Sequence, residues 1–153
     1  MRNEERVDTR MIRKFKIEDL DQVMELWFSI NCSAHSFIPK EYWEENFEMV
    51  KEMMPKAELY IEEQENRIHG FIGMMEEYIA GLFVSEEMQG TGIGTKLVEH
   101  VKQRKESLVL QVYQKNNRAT SFYEQQQFVV EGEQVDEATG EAELLMKWTK
   151  GRR

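Results

Sequence analysis

The spacing of apolar residues along the chain predicts alternating helices and strands. Apolar residues three and four positions apart within 18–30 predict an amphipathic helix. Alternation over 57–63 and 68–75, around a turn at 65–67, predicts a β-hairpin, and the apolar segment Tyr78–Val84 predicts a central strand. The predicted elements are strands at 10–15, 57–63, 68–75, 78–84, 107–113, 128–134 and 143–148, helices at 18–30, 41–54 and 117–126, and a helix with Ile93, Leu97, Val98 and Val101 on one face.

This order of elements defines the fold class. The series β-α-α-β-β-β-α-β-α-β-β predicts an α/β or α+β fold, a mixed central sheet of about seven strands with about four helices packed on it. Segment 31–38 has no periodicity and is predicted to be a loop. Segment 131–143, with six acidic and no basic residues, is predicted to be a solvated hairpin turn around 138–140.

A chain of 153 residues corresponds to one ordinary domain, and neither a repeat nor a linker interrupts it. We therefore predict a single domain over 1–153. Within it, residues 1–9 are expected to be flexible and 149–153 to form a basic tail.

The charge balance restricts the expected partners. The chain carries 20 basic and 29 acidic residues, a net charge of −9, which disfavours nucleic acid and anionic membranes as partners and favours cationic substrates such as amines. No apolar segment approaches the ~20 residues that span a bilayer. The single cysteine, Cys32, and the absence of a secretory signal pattern suit a cytoplasmic protein.

A glycine-rich segment between a predicted strand and a predicted helix is the first candidate site. Glycines allow positive φ and close approach of a ligand, and the first N–H groups of a helix attract anions. Ordinary turn chemistry would also explain glycines here. The order Gly94-Thr95-Lys96 is wrong for a Walker loop, and the spacing is wrong for a dinucleotide loop, which leaves coenzyme A as the third phosphate ligand. The segment consists of Gln89, Gly90, Thr91, Gly92, Ile93, Gly94 and Thr95.

A second group of residues lies on the predicted helix at 117–126. Ala119, Phe122 and Tyr123 are three and four residues apart and share one helical face. All three could be core residues, but a buried tyrosine hydroxyl needs a polar partner. Tyr123 is therefore a candidate for chemistry.

These two segments together resemble the signature of one enzyme family. Gln89-x-x-Gly92-x-Gly94 resembles the first motif of the GNAT N-acetyltransferase superfamily. Asn116-x-x-Ala119-x-x-Phe122-Tyr123, ending at Phe128, resembles its second motif. The resemblance covers the whole chain, and the element order is that of the GNAT fold. Residues 34–38 and 41–43 further resemble a YjaB-like bacterial subgroup.

The resemblance implies a role for each motif residue toward acetyl-CoA. Backbone amides from Gln89 to Thr95 would hold the pyrophosphate. Asn116 would hydrogen-bond the pantetheine arm, and Ala119 belongs to the same cofactor-binding motif. Tyr123 would protonate the departing thiolate while an amine attacks the acetyl group directly. The strand residues expected to pair with the pantetheine arm are Leu82, Phe83 and Val84.

The sequence departs from the family pattern at two positions. Gln127 replaces a glycine at the end of a helix, where a left-handed residue is frequent and a side chain costs about 1 kcal/mol. Glu86 replaces a frequent proline. Neither change removes a functional atom.

The proton acceptor and the amine site are less clearly marked. Strand alternation is expected to point Glu77 to one face and Glu76 and Tyr78 to the other, and Glu77 is the preferred general base. An exposed carboxylate pair is the alternative interpretation, and a water chain would serve equally well as the base. Tyr78, next to Glu77, and His35, in the predicted loop before the second helix, are the candidate acceptor-binding residues. The three histidines and one cysteine lack metal-ligand spacing, so no metal is predicted.

The sequence thus predicts an acetyl-CoA-dependent N-acetyltransferase acting on a small-molecule or peptide primary amine. A non-catalytic acyl-CoA-binding sensor or regulatory module of the same fold is the alternative. Edge strands in this family often pair between subunits, which leaves a homodimer open.

Overall fold

The strands and helices follow the predicted order, and the expectation of about seven strands and four helices is confirmed. The computed structural model describes residues 11–151, so the expectation for residues 1–9 lies outside it. The strands are β1 Met11–Lys14, β2 Glu58–Gln64, β3 Arg67–Met75, β4 Tyr78–Val84, β5 Ser107–Tyr113, β6 Val129–Val135 and β7 Ala142–Thr149. The helices are α1 Leu20–Ala34, α2 Lys40–Met53, α3 Ile93–Lys102 and α4 Asn117–Gln125.

The seven strands form one mixed sheet in the order β1-β2-β3-β4-β5-β7-β6. All neighbouring strands are antiparallel except β4 and β5, which are parallel. Their pairing is short: Tyr78 pairs with Val109 and Ile79 with Leu110, after which the two strands separate. This gap is the main irregularity of the sheet.

A bulge lies in β4 where the gap begins. Gly73 of β3 pairs with Gly81, but Met74 pairs with Ile79, so Ala80 is an extra residue in β4. The alternation of side chains therefore reverses across Ala80.

Each face of the sheet is covered by two helices. In β3, Ile72 packs with residues of α3 and α4, whereas its neighbour Phe71 packs with residues of α1 and α2. Successive strand residues point to opposite faces, so the two pairs of helices lie on opposite sides. The gap between β4 and β5 is consequently flanked by a helix pair on each face.

The first helix is longer than predicted. Segment 31–38 was expected to be a loop, but α1 continues to Ala34. Asn31 is buried, and its Nδ2 donates to the Trp27 carbonyl at 2.9 Å, while the His35 N–H donates to the Asn31 carbonyl at 3.0 Å. The polar residues in this last turn of α1 are held by hydrogen bonds rather than by apolar packing. A pattern of apolar positions therefore does not reveal that the helix continues.

The acidic hairpin is shorter than segment 131–143. Much of that segment is strand, because β6 extends to Val135 and β7 begins at Ala142. Asp136 closes the turn: its carbonyl accepts from the Gly140 N–H at 2.7 Å and its carboxylate from the Ala138 N–H at 3.0 Å. In residues 11–151 there is no helix with the length and apolar character to cross a membrane.

Candidate functional site

The gap between β4 and β5 exposes hydrogen-bonding groups of β4. The Ser85 N–H donates to the His69 carbonyl of β3 at 2.8 Å. Since peptide groups alternate in direction along a strand, those of Val84 and Leu82 point away from β3 and toward the gap. The Val84 carbonyl accepts the Gln89 side-chain amide at 3.0 Å. One edge of β4 is therefore open to an added extended chain.

The side chains of the same segment fix it in the sheet. Leu82 and Val84 pack against the core under α3 and α4. Phe83 points to the other face and stacks on Phe71, with ring centroids 5.0 Å apart. Leu82 and Val84 therefore present backbone groups to the gap, as the predicted arm site requires, whereas the backbone of Phe83 faces its pair Phe71 in β3 and only its side chain contributes, to the core under α1 and α2.

The glycine loop follows β4 and has the positive φ angles that its sequence predicts. Gly90 has φ 84° and Gly92 has φ 94°. A Cβ at Gly90 would meet no atom within 4 Å, so the space beside this residue is open. The Thr91 hydroxyl donates to the Met88 carbonyl at 2.6 Å and fixes the turn before Gly92.

Helix α3 begins at this loop without a side-chain cap. Its N-cap residue is Gly92, whose carbonyl accepts the Lys96 N–H at 3.0 Å. The N–H groups of Ile93, Gly94 and Thr95 precede that first helical bond and carry the positive end of the helix dipole.

Gly94 and Ile93 hold the start of α3 against the rest of the protein. Ile93 is 1% exposed. A Cβ at Gly94 would lie 3.3 Å from the Phe122 ring of α4 and 3.9 Å from Leu82, so a larger side chain would push the helices apart. Open space at Gly90, positive φ at Gly92 and an uncapped helix start together fit a pyrophosphate group.

Helix α4 begins on the other side of the gap and is capped. The Asn116 Oδ1 accepts the Ala119 N–H at 3.1 Å, and the Asn116 carbonyl accepts the Thr120 hydroxyl at 3.1 Å. Ala119 is half-buried against the core beside α3. Asn116 is therefore a structural residue of the helix as well as a candidate ligand for a cofactor.

Tyr123 lies inside the core, and its ring makes T-shaped contacts with the rings of Phe122 and Phe128. It is 7% exposed, and the ring centroids are 5.2 and 5.4 Å away. Within residues 11–151 its hydroxyl makes no hydrogen bond. Burial raises the pKa of the Tyr123 hydroxyl, so it holds its proton at neutral pH. Gln127, at the end of this helix, has φ 77°, which confirms the expected left-handed position.

Glu77 and Tyr78 lie at the paired end of β4, away from the glycine loop. Glu77 is exposed in the turn before β4, and its carboxylate accepts the Ser107 hydroxyl at 3.0 Å. Strand alternation was expected to orient Glu76 and Glu77, but both belong to the turn, and Glu76 has φ 57°. The Tyr78 hydroxyl donates to Gln111 at 3.2 Å beside a cavity of about 350 Å³.

His35 lies near the open end of the gap and both its ring nitrogens are engaged. Nδ1 is 3.1 Å from the Asn31 Oδ1, and Nε2 is 3.1 Å from the Asn116 Nδ2. Burial lowers the pKa of the His35 imidazole to about 4, so it is neutral at physiological pH. Contact between His35 and an acceptor stays a prediction.

Two acidic residues of the β6–β7 hairpin lie near tyrosines of the α2 side. The Tyr113 hydroxyl donates to Asp136 at 2.7 Å. The pKa of the Tyr42 hydroxyl is raised by burial and by the carboxylates of Asp136 and Glu143, and burial and Glu143 likewise raise that of Tyr78. Two carboxylates therefore lie near the tyrosines on the face of the sheet opposite α3.

Two partners of site residues were not singled out from the sequence. Asn31 lies four residues before His35, a helical spacing that could have revealed the pair had the helix been extended. Gln111 alternates with buried residues of β5, which gives no sign of its bond to Tyr78. In the described part of the chain no three His, Cys, Asp or Glu residues are grouped as metal ligands would be.

The fold and both motifs define an N-acetyltransferase. Residues 28–150 match the family model described as an acetyltransferase (GNAT) domain, and the chain belongs to that family.

Two relatives from Escherichia coli match most of the chain. The peptidyl-lysine N-acetyltransferase YiaC is 33% identical over 140 residues, covering 90% of this chain and 93% of that protein. The peptidyl-lysine N-acetyltransferase YjaB is 28% identical over 122 residues, covering 79% and 83%. The expected resemblance to a YjaB-like subgroup is thereby confirmed.

Solved structures of N-acetyltransferases also match the fold of this chain. The solution structure of YjaB without ligand has a TM-score of 0.82 and 26% identity, covering 92% of this chain and 98% of that one. The PaiA N-acetyltransferase from Thermoplasma acidophilum, solved in complex with coenzyme A, has a TM-score of 0.71 at 20% identity, covering 93% and 99%.

Proposed function

We propose that the protein transfers the acetyl group of acetyl-CoA to a primary amine, the side chain of a lysine in a peptide or protein. The observation that carries this proposal is the gap between β4 and β5, which opens beside the uncapped start of α3. One side of the site would bind an anion through Gly92–Thr95 amides, and the other would bind an extended arm along β4.

The residues for the cofactor are those of the two motifs. Amides from Gln89 to Thr95 would bind the pyrophosphate, and the outward peptide groups of Leu82 and Val84 would bond the pantetheine arm as an added strand would. The free amide hydrogen of Asn116 would bind the same arm. Acetyl-CoA supplies a thioester, an acetyl group activated for attack by an amine.

Tyr123 would act as the general acid. Its proton is available because burial keeps the phenol neutral, and its hydroxyl has no competing partner in the described chain. As the carbon–nitrogen bond forms and the carbon–sulfur bond breaks, the Tyr123 hydroxyl would give its proton to the sulfur. The lysine ammonium would lose one proton to water or to Glu77, which is exposed and next to Tyr78, before it attacks. The second proton, lost from nitrogen as the amide forms, would return through water to the Tyr123 phenolate.

The acceptor side favours a cationic side chain. Asp136 and Glu143 lie near Tyr42, Glu143 also lies near Tyr78, and lysine is positively charged before it binds. The names of YiaC and YjaB state peptidyl-lysine as the substrate, which supports the same class of acceptor here. The relatives are N-acetyltransferases, which favours an enzyme over a non-catalytic sensor.

Cofactor binding is tested by titration calorimetry of acetyl-CoA into the wild type, Gly92→Glu and Gly92→Gln. Both variants share the backbone strain at positive φ, and they differ only in charge. We expect at least a 100-fold loss of affinity in Gly92→Glu and a much smaller loss in Gly92→Gln, since a carboxylate at this helix start repels phosphate. Equal losses would mean that strain alone, rather than an anion site, is responsible.

The chemistry is tested by thiol release with a lysine peptide, an arginine peptide of otherwise identical sequence, and a panel of small amines. We expect turnover with the lysine peptide and none with the arginine peptide. Turnover with small amines but not with the lysine peptide would mean that the acceptor is a small molecule.

The role of Tyr123 is tested in the same assay. We expect kcat to fall roughly 100-fold or more in Tyr123→Phe, with unchanged affinity for acetyl-CoA. Unchanged kcat in Tyr123→Phe would remove the acid role, and an unchanged pH–rate profile in Glu77→Gln would remove Glu77 as base.

A further inference from the structure

A continuous series of hydrogen bonds joins α1 to the start of α4. Asn31 donates to the Trp27 carbonyl at 2.9 Å, and its Oδ1 is 3.1 Å from the His35 Nδ1. The His35 Nε2 is 3.1 Å from the Asn116 Nδ2, and the Asn116 Oδ1 accepts the Ala119 N–H at 3.1 Å. The series crosses from the helix pair on one face of the sheet to the pair on the other.

The two backbone groups at its ends fix the direction of every bond. The Ala119 N–H can only donate, so the Asn116 oxygen must face it and the Asn116 amide nitrogen must face His35. The His35 Nε2 is therefore an acceptor, and the proton of the neutral ring is on Nδ1, which donates to Asn31. The Trp27 carbonyl can only accept, which fixes the Asn31 amide in the matching orientation.

The surroundings of His35 favour this neutral tautomer. The ring is enclosed by Phe37, Trp43 and Tyr113, with centroids between 5.0 and 5.7 Å away. The nearest charges reach it only indirectly: Asp136 is bonded to the Tyr113 hydroxyl, and Lys115 lies over the Phe37 ring at 5.5 Å. No ionic partner among residues 11–151 stabilises a protonated ring.

The end of α1 also contacts the segments that directly follow the two strands bordering the gap. Ser33 donates to the Glu86 carboxylate just after β4, and His35 contacts Asn116 three residues after β5. The end of α1 thus bridges the open end of the gap. The Asn116 amide is therefore held at both ends, at its oxygen by the Ala119 N–H and at its nitrogen by His35 from the α1 side.

We propose that His35 is a positioning residue that orients the Asn116 amide, so that one amide hydrogen is held by the ring and the second is presented to the cofactor arm. This role rests on the proposed function, because it assumes that acetyl-CoA enters the gap. It differs from direct contact of His35 with the acceptor. The second Asn116 Nδ2 hydrogen has no acceptor in residues 11–151, as this role requires.

The first test reads the ring itself by ¹⁵N NMR of histidine-labelled protein, with His35→Gln used to assign the signal. We expect a neutral ring protonated at Nδ1, with a pKa well below the ordinary value. In Asn116→Asp the carboxylate would accept from Nε2, so the His35 pKa should rise by one unit or more. A ring protonated at Nε2 in the wild type, or no rise in Asn116→Asp, would overturn the proposal.

The second test measures acetyl-CoA affinity in matched variants whose folding is checked by circular dichroism. His35→Gln places an amide oxygen near the position of Nε2, whereas the shorter His35→Asn reaches only the position of Nδ1. We expect about a tenfold loss of affinity in His35→Asn, the size of one hydrogen bond, and its recovery in His35→Gln. The KM for acetyl-CoA should rise while kcat changes little.

Failure of the two proposals can be told apart. A wild type that does not bind acetyl-CoA overturns the proposed function and, with it, the role of His35 toward the arm. A wild type that binds, with His35→Asn binding equally well, overturns the positioning role alone.

Discussion

Helices α3 and α4 begin near the same gap in the sheet, but their first turns are built in opposite ways. Helix α3 starts at Gly92, has no side-chain cap and follows a loop with open space beside Gly90. Helix α4 starts at Asn116, whose side chain bonds the helix and is itself held by His35. The uncapped start of α3 can attract an external anion, whereas the Ala119 N–H at the start of α4 is satisfied by the protein itself. The start of α3 is therefore suited to bind a ligand, and the capped start of α4 to keep its own helix in place.

The largest effect on stability is expected where the capped start is broken. Asn116→Ala should lower the free energy of unfolding by about 2 kcal/mol, because the Ala119 N–H loses its acceptor and His35 its donor. Urea denaturation without ligand measures this loss. Asn117→Ala, one residue later and exposed, is the control and should change stability by less than ~0.5 kcal/mol. Equal losses in both would show that the cap contributes nothing.

A smaller effect on stability should show which of the two helix starts binds an anion. Inorganic pyrophosphate at about ten times its Kd should raise the free energy of unfolding by about 1.4 kcal/mol. Asn116→Ala should show the same increase, because its helix start does not bind the anion, whereas Gly92→Glu should show none. Thermal unfolding with and without pyrophosphate gives the answer. An increase retained in Gly92→Glu and lost in Asn116→Ala would reverse the assignment.

The smallest effect concerns the other end of α4. Gln127 has φ 77°, so Gln127→Gly should relieve strain and raise the free energy of unfolding by about 1 kcal/mol. Gln125→Gly, at the last residue of α4, should lower the free energy of unfolding, by less than about 1 kcal/mol. Chemical denaturation of both variants checks the opposite signs. A loss of stability in both would mean that the strained conformation at Gln127 is compensated elsewhere.

The sequence predicted the parts of the site whose causes are local. Positive φ at Gly90 and Gly92 follows from residue type, and the face shared by Ala119 and Tyr123 follows from helical spacing. The open helix start between a strand and a helix could likewise be recognised from element order. These features depend on neighbours within a few residues.

Features that depend on distant residues escaped prediction. The contact between His35 and Asn116 joins positions 81 apart in sequence, and no spacing signals it. The extension of α1 depends on buried hydrogen bonds of Asn31, which a hydrophobic pattern does not record. Glu77 was placed by strand alternation, but that rule does not apply in a turn.

The short pairing of β4 with β5 also has a mechanical consequence. Among residues 11–151, only two residue pairs, Tyr78–Val109 and Ile79–Leu110, join β1–β4 to the other three strands, so we expect the sheet to bend most easily along this line. The core under α3 and α4 contains residues from strands on both sides of that line, and this packing limits bending along it. Substitutions in that core confined to α3 and α4 would therefore change the width of the gap without altering either strand that borders it.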